Sequence, residues 1–107
     1  MFKVSCIQLK SNNNIKYNLT ETKKLILKAV KQKADFILTP EVSSLFSLEK
    51  SQLLKVCTSM KKDIYLNEMR DLAKKYCKWI LIGSLIVKVS KKKLVNRSVL
   101  IDRNGEV

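Results

Sequence analysis

An apolar run that ends abruptly on proline and an acid, Ala34-Asp35-Phe36-Ile37-Leu38-Thr39-Pro40-Glu41, constrains this chain more than any other stretch. Phe36, Ile37 and Leu38 are continuous rather than alternating, the pattern of a parallel strand covered on both faces. Pro40 is the only proline. Its ring disfavours helical dihedrals at Thr39 and it has no N–H to pair, so regular pairing is predicted to stop there. Glu41 is thereby placed at the carboxyl end of a buried strand, the edge of an open α/β sheet where ligands bind. A carboxylate held there, partly out of water, is a candidate general base, and a solvated loop glutamate is the competing reading.

With 107 residues the chain has room for one core and not two. Hydrophobic residues at 46% and charged residues at 29% are ordinary globular usage, which argues against disorder over most of the length. No apolar run approaches the roughly 20 residues needed to span a bilayer. Met1-Phe2-Lys3-Val4-Ser5-Cys6-Ile7 also lacks the layout of a secretory signal. The expectation is a cytoplasmic protein with no membrane partner.

The net charge of +13 raises the question of nucleic acid. Only Arg70, Arg97 and Arg103 are arginines, whereas groove and phosphate readers rely on the bidentate guanidinium. The lysines read as spread over every polar face, with Lys91-Lys92-Lys93 the only run of three, in a predicted turn. Lysine, asparagine and isoleucine are abundant together, as a coding sequence rich in A and T produces. Nucleic-acid binding is therefore disfavoured, and any duplex binding is expected to vanish by moderate salt.

Cys6, Cys57 and Cys77 are odd in number and widely spaced, and the chain contains no histidine. Zinc patterns need close ligand pairs, so no metal site and no cofactor is expected. Cys6 in an apolar strand and Cys77 near a helix end read as small buried hydrophobes. Without histidine, neither a Ser-His nor a Cys-His nucleophile pair can form within the chain.

In chain order, Phe2 to Leu9 reads as a strand inside a sheet. Asn18 followed by Glu21 fits a capping box, with a helix carrying Leu19, Ile26, Ala29, Val30 and Ala34 on one face. Strand, helix and strand from Phe2 to Thr39 make a βαβ unit with parallel strands. Leu48 to Ser59 holds a short helix of open limits. Asp63 to Lys78 is a second covering helix, with Tyr65, Met69, Leu72, Ala73 and Tyr76 on its apolar face. Trp79 to Ser84 is another buried strand. Leu85 to Val89 and Leu94 to Asp102 then form an antiparallel hairpin, and Asn104-Gly105 is a turn leading into a further strand at Glu106 and Val107. The buried-type strands need two covered faces, yet both firm helices fall on one side, so one sheet face is predicted bare.

In this order the residues resemble the amino-terminal part of the carbon-nitrogen hydrolase (nitrilase and aliphatic amidase) superfamily. The resemblance rests on Gln8-Leu9 closing the first strand, an asparagine-capped helix, Pro40-Glu41 closing the next strand, and Leu72-Ala73 in the second helix. It continues through Gly83-Ser84, then Asn96 in the following strand, then the Asn104-Gly105 turn. Where the family has glycine before the Ala-Asp pair this chain has Lys33, a departure expected to lengthen the helix without touching the site.

The resemblance implies an α/β fold, part of a four-layer α-β-β-α sandwich, in which residues 1–107 are the amino-terminal portion of a single hydrolase domain. It implies a catalytic set of glutamate, lysine and cysteine in which Glu41 is the glutamate. The lysine and the nucleophilic cysteine belong to later parts of the domain, and Cys6, Cys57 and Cys77 match no nucleophile position. The chain by itself is therefore expected to be inactive. Completed, it would take a small amide or nitrile substrate, and the full-length family implies a homo-oligomer. The alternative is a small basic α/β binding module without catalysis, its lysines meeting an acidic partner.

Overall fold

The computed structural model describes residues 1–107. Four strands pair in one sheet, in the order β1 (Val4–Cys6), β2 (Phe36–Leu38), β3 (Trp79–Ser90), β4 (Lys93–Ile101). β1, β2 and the start of β3 are parallel, and β4 returns antiparallel along β3. β1 is shorter than the predicted Phe2 to Leu9, although the Ile7 amide still donates to the Leu38 carbonyl at 2.8 Å. β3 joins what the sequence separated into two strands. Its register against β4 shifts between Ile82 and Leu85, so Gly83-Ser84 is an irregularity inside one long strand, not a strand end.

Helices α1 (Ile15–Lys31) and α3 (Ile64–Tyr76) cover one face of this sheet. Ile26 and Ala29 of α1, with Tyr65, Met69, Leu72 and Ala73 of α3, close over Ile37, Ile80, Ile82, Val99 and Ile101. The short helix α2 (Lys50–Val56) and a 3-10 turn at Met60–Lys62 lie between β2 and α3. Leu53 and Cys57 there pack with Leu45 in a small second cluster against Ile86 and Leu94.

Two capping expectations are corrected. Asn14, not Asn18, caps α1, its Oδ1 accepting from the Tyr17 amide at 3.1 Å, so the helix starts four residues earlier. Asn18 is buried inside the helix. Its amide group donates to the carbonyls of Asn12 at 2.8 Å and Ser44 at 2.9 Å and accepts from the Asn12 amide at 3.0 Å, tying together both loops that precede the helix and follow β2. Lys33 does not lengthen α1. The helix stops at Lys31 and Lys33 takes φ 62°, with its amide on Val30 and the Ala34 amide on Ala29, the paired bonds of a left-handed helix stop. A side chain with a Cβ carries strain there that glycine does not. Lys33→Gly is therefore expected to raise stability by about 1 kcal/mol, measured by pulse proteolysis of the dilute chain.

The cysteine expectation is also reversed. Cys6 and Cys77 are exposed and Cys57 is buried. Cys6 alternates onto the uncovered side of β1, and Cys77 sits at φ 55° in the stop of α3, where its side chain turns outward. The Asn104-Gly105 turn forms, with Gly105 at φ 81°, but Glu106 and Val107 enter no ladder: the Glu106 carbonyl accepts from the Asp102 amide at 2.8 Å and its own amide donates to Asp102 Oδ1 at 3.0 Å.

The second sheet face is bare, as the helix count required. The register places Ser5, Ile37, Ile80 and Ile101 in one row under the helices. The rows on either side, Val4-Phe36-Trp79 and Cys6-Leu38-Leu81-Leu100, point the other way. No helix covers them: Phe36, Leu38, Trp79 and Leu81 are half-buried and the strand-edge residues are exposed. Val4 is 53% and Leu100 46% exposed, and Phe2, 65% exposed, leans its ring on Phe36 at 6.4 Å between centroids.

Candidate functional site

The site begins where β2 stops. Thr39 is buried and still donates its amide to the Leu81 carbonyl at 3.0 Å, so the strand is held against β3 up to the residue before Pro40. Pro40 has no amide to continue the ladder and the chain turns at Glu41-Val42. The far side of the turn is pinned to the same point of β3: the Val42 amide donates to Ser84 Oγ at 2.7 Å and the Ser43 amide to the Ser84 carbonyl at 3.2 Å. Val42 itself sits at φ 49°, a left-handed conformation for a β-branched residue, which persists only where the surroundings over-determine it.

Gly83 is what lets the turn lie this close. A Cβ at that position would stand 2.3 Å from the Thr39 carbonyl oxygen and 2.5 Å from the Pro40 carbonyl carbon. The Gly83 amide instead donates to Thr39 Oγ1 at 3.2 Å, and that hydroxyl lies 3.1 Å from Ser43 Oγ. Beneath them the Tyr65 hydroxyl is 2.9 Å from Thr22 Oγ1, which donates to the Asn18 carbonyl at 2.7 Å. Burial pushes the Tyr65 hydroxyl up from its ordinary range, against the pull of the Ser43, Thr22 and Thr39 hydroxyls around it. It therefore stays a neutral hydrogen-bonding post under the turn.

Glu41 rides on this platform with its side chain exposed, not partly withdrawn from water as the sequence led us to expect. It borders an open depression of about 240 Å³ formed with Leu9, Lys10, Ser11, Val42 and Phe46. Lys10 shares the depression but makes no ion pair with Glu41; the three salt bridges of the chain lie elsewhere. None of the three cysteines lines it. No group of three Cys, Asp or Glu side chains gathers in a way that would hold a metal ion. What this arrangement offers chemically is one carboxylate, rigidly backed, at an open sheet edge.

The supporting residues Thr39, Ser43, Ser84, Asn18 and Tyr65 were not read from the sequence as parts of the site. Gly83 carried the one usable signal, since glycine inside an apolar strand marks a close backbone approach. The others act through contacts between residues far apart in the chain.

A second buried acid, Asp63, lies outside this site and caps α3, accepting from the Leu66 amide at 2.8 Å. Burial raises its carboxyl above the usual range, opposed by hydrogen bonds from the Leu66 and Tyr65 amides. A carboxyl whose folded pKa is raised adds stability that is full below its unfolded pKa and is lost as pH rises through the folded value. Asp63→Asn, which keeps an accepting oxygen, is thus expected to match or exceed the parent at neutral pH and lose that advantage near pH ~4. Asp63→Ala is expected to cost about 1 kcal/mol as a lost cap. Pulse proteolysis across pH checks both.

Comparison with known proteins identifies the family and the fold. The family model of carbon-nitrogen hydrolases matches residues 3–107. The chain belongs to the carbon-nitrogen hydrolase family. Among solved structures it is similar to the NitFhit protein of C. elegans, with 25% identity and a TM-score of 0.85, covering 98% of this chain and 27% of that one. It is similar also to an amidase from Nesterenkonia sp., with 21% identity and a TM-score of 0.81 over 98% of this chain and 40% of the other. An N-terminal amidase described with an Asn-Glu peptide shares the fold at 20% identity, with a TM-score of 0.83 and 26% of its length covered. The chain thus spans about a quarter to two fifths of these structures. A search of curated proteins found no significant match. No helix is long and apolar enough to cross a membrane.

Proposed function

We propose that Glu41 is the general base of an amidase or nitrilase reaction, and that residues 1–107 are the amino-terminal portion of the single domain that performs it. The observation that carries this reading is the position of Glu41, on a turn fixed at the carboxyl end of a strand, within a stretch matched from residue 3 to 107 by the hydrolase family. The amidase neighbour is described elsewhere with acrylamide bound in a glutamate-to-glutamine, cysteine-to-alanine double mutant, and with acrylamide added at its active site cysteine. In the reaction proposed, Glu41 takes the proton of a cysteine thiol. The thiolate attacks the amide or nitrile carbon while a lysine ammonium stabilises the charge that develops there; the protonated Glu41 then gives its proton to the substrate nitrogen, which from an amide leaves as ammonia, and the carboxylate so regenerated activates water against the covalent intermediate. The chain supplies the base alone. A cytoplasmic setting and assembly into homo-oligomers go with the proposal.

The test has two arms. The chain alone is expected to show no turnover of simple amides, since a base without its nucleophile leaves no covalent route; turnover abolished by Glu41→Gln would overturn that expectation. In a chimera carrying residues 3–107 in place of the matching segment of the Nesterenkonia amidase, amide hydrolysis is expected to return and to fall about 10²-fold or more on Glu41→Gln. A chimera equally active with glutamine at this position sinks the assignment.

A further inference from the structure

The lysines are less evenly spread in the fold than in the sequence. The segments 48–63 and 86–97 carry nine of the 22 basic residues and only two of the nine acids, Glu49 and the buried Asp63. The fold brings these segments together. The Lys88 amide donates to the Thr58 carbonyl at 2.9 Å, the Arg97 guanidinium meets Met60 Sδ at 3.3 Å, and Leu94 packs on the α2 cluster. None of the nine is in an ion pair; the three salt bridges use Lys23, Lys24 and Arg70.

Within this basic region opens an apolar socket of about 110 Å³. Ile15, Leu45, Val56, Ile64 and Ile86 form its walls, and Lys62 stands at its edge. Cys57, buried and without a hydrogen-bond partner for its thiol, also lines it. For scale, a cavity of roughly 150 Å³ lined by aliphatic side chains accepts benzene. The socket therefore has room for one branched aliphatic side chain and nothing much larger.

We propose that this socket, with Lys62 at its edge, docks an acidic polypeptide segment, one aliphatic side chain entering the socket and flanking carboxylates meeting Lys62 and the other lysines of segments 48–63 and 86–97. An apolar centre inside a charged rim is the usual anatomy of a protein interface. The chemistry selects against the other polyanions. Duplex nucleic acid presents no aliphatic group larger than the thymine methyl, too small to fill the socket, and eight of the nine basic residues are lysines, point charges without the planar fork that reads base edges. A lipid headgroup surface likewise gains nothing from a socket of this size. Burial raises the Cys57 thiol, with the Asp63 charge adding and the Lys88 charge opposing, so the thiol stays neutral beneath an apolar guest; the buried Asp63 carboxyl lines the same socket but is engaged by the Leu66 amide.

The test uses the whole chain, tethered sparsely at its amino terminus so that copies do not meet, and a synthetic heptapeptide of aspartates and glutamates with a central leucine, beside its serine twin. The leucine peptide is expected to bind about tenfold more tightly, the effect of burying one aliphatic side chain. In a Cys6→Ser, Cys77→Ser background it is also expected to slow labelling of Cys57 by a thiol reagent. Lys61→Gln with Lys62→Gln, both on the surface, is expected to weaken both peptides alike. Equal binding of the two peptides, no protection of Cys57, or displacement of the leucine peptide by duplex DNA or phosphatidylserine vesicles at equal charge would each overturn the proposal.

Discussion

Purified at micromolar concentration, the 107-residue chain is expected to sediment as self-associated species and to unfold over a broad range without a sharp cooperative step. The cause is the uncovered sheet face. Phe2, Val4, Phe36, Leu38, Trp79, Leu81 and Leu100 all lie on the side away from the helices. Phe2, Val4 and Leu100 are exposed and the other four half-buried, so the missing cover forfeits up to roughly 1.5 kcal/mol each, a sum that reaches the lower part of the whole stability of a small domain, about 5–15 kcal/mol. The charge of +13 opposes association at long range, but salt screens it within roughly 10 Å while apolar contact is unaffected. Association is therefore expected to strengthen as salt is added. Val4→Lys with Leu100→Lys separates a bare face from a covered one. At exposed positions the pair should cost within about 1 kcal/mol and shift the chain toward monomer, whereas the same change in a packed core would unfold it. Sedimentation with thermal unfolding reads both. A monodisperse parent chain with a sharp transition would contradict the bare-face argument and favour a complete small module.

Features set by neighbouring residues were the legible ones. Phe36 to Leu38 is apolar without alternation, Pro40 cannot continue a ladder, and Glu41 follows, so the position of the acid came from three adjacent facts about local chemistry. The apolar face of α3 was likewise written at helical spacing, and Tyr65, Met69, Leu72 and Ala73 are all buried. The misreadings have a common physical origin in long-range contacts or in a missing stop signal. Asn18 with Glu21 looks like a capping box, but Asn14 was equally able to cap, and what holds Asn18 inside the helix is the Ser44 carbonyl 26 residues away. Lys33 and Cys77 occupy left-handed helix stops with no glycine to announce them. Gly83-Ser84 looked like the end of a strand because glycine usually weakens one. In the fold it is the place where another backbone passes too close for a side chain.

That close approach sets the second large expected effect. Replacing Gly83 by alanine puts a methyl group 2.3 Å from the Thr39 oxygen, 2.5 Å from the Pro40 carbonyl carbon and 2.6 Å from the Pro40 oxygen. All three are backbone atoms, so no side chain can swing aside to relieve the contact. β3 is held by its ladder to β4, and the residues free to move are Thr39 to Val42. Their displacement would lengthen the bond from the Gly83 amide to Thr39 Oγ1 and the one from the Val42 amide to Ser84 Oγ, now 3.2 and 2.7 Å. Gly83→Ala is accordingly expected to cost about 1–3 kcal/mol, with Gly83→Val beyond that range. Ser84→Ala, which removes one hydrogen bond and adds no bulk, is expected to cost about 1 kcal/mol. The distinguishing readout is local. Hydrogen exchange at the Val42 and Ser43 amides should accelerate more in Gly83→Ala than the change in overall stability accounts for, because the turn carrying Glu41 is displaced before the sheet opens. In the amidase chimera the same substitution should lower turnover while the protein remains folded. Unchanged protection at Val42 together with parental stability would show that the turn is not braced on Gly83 at all.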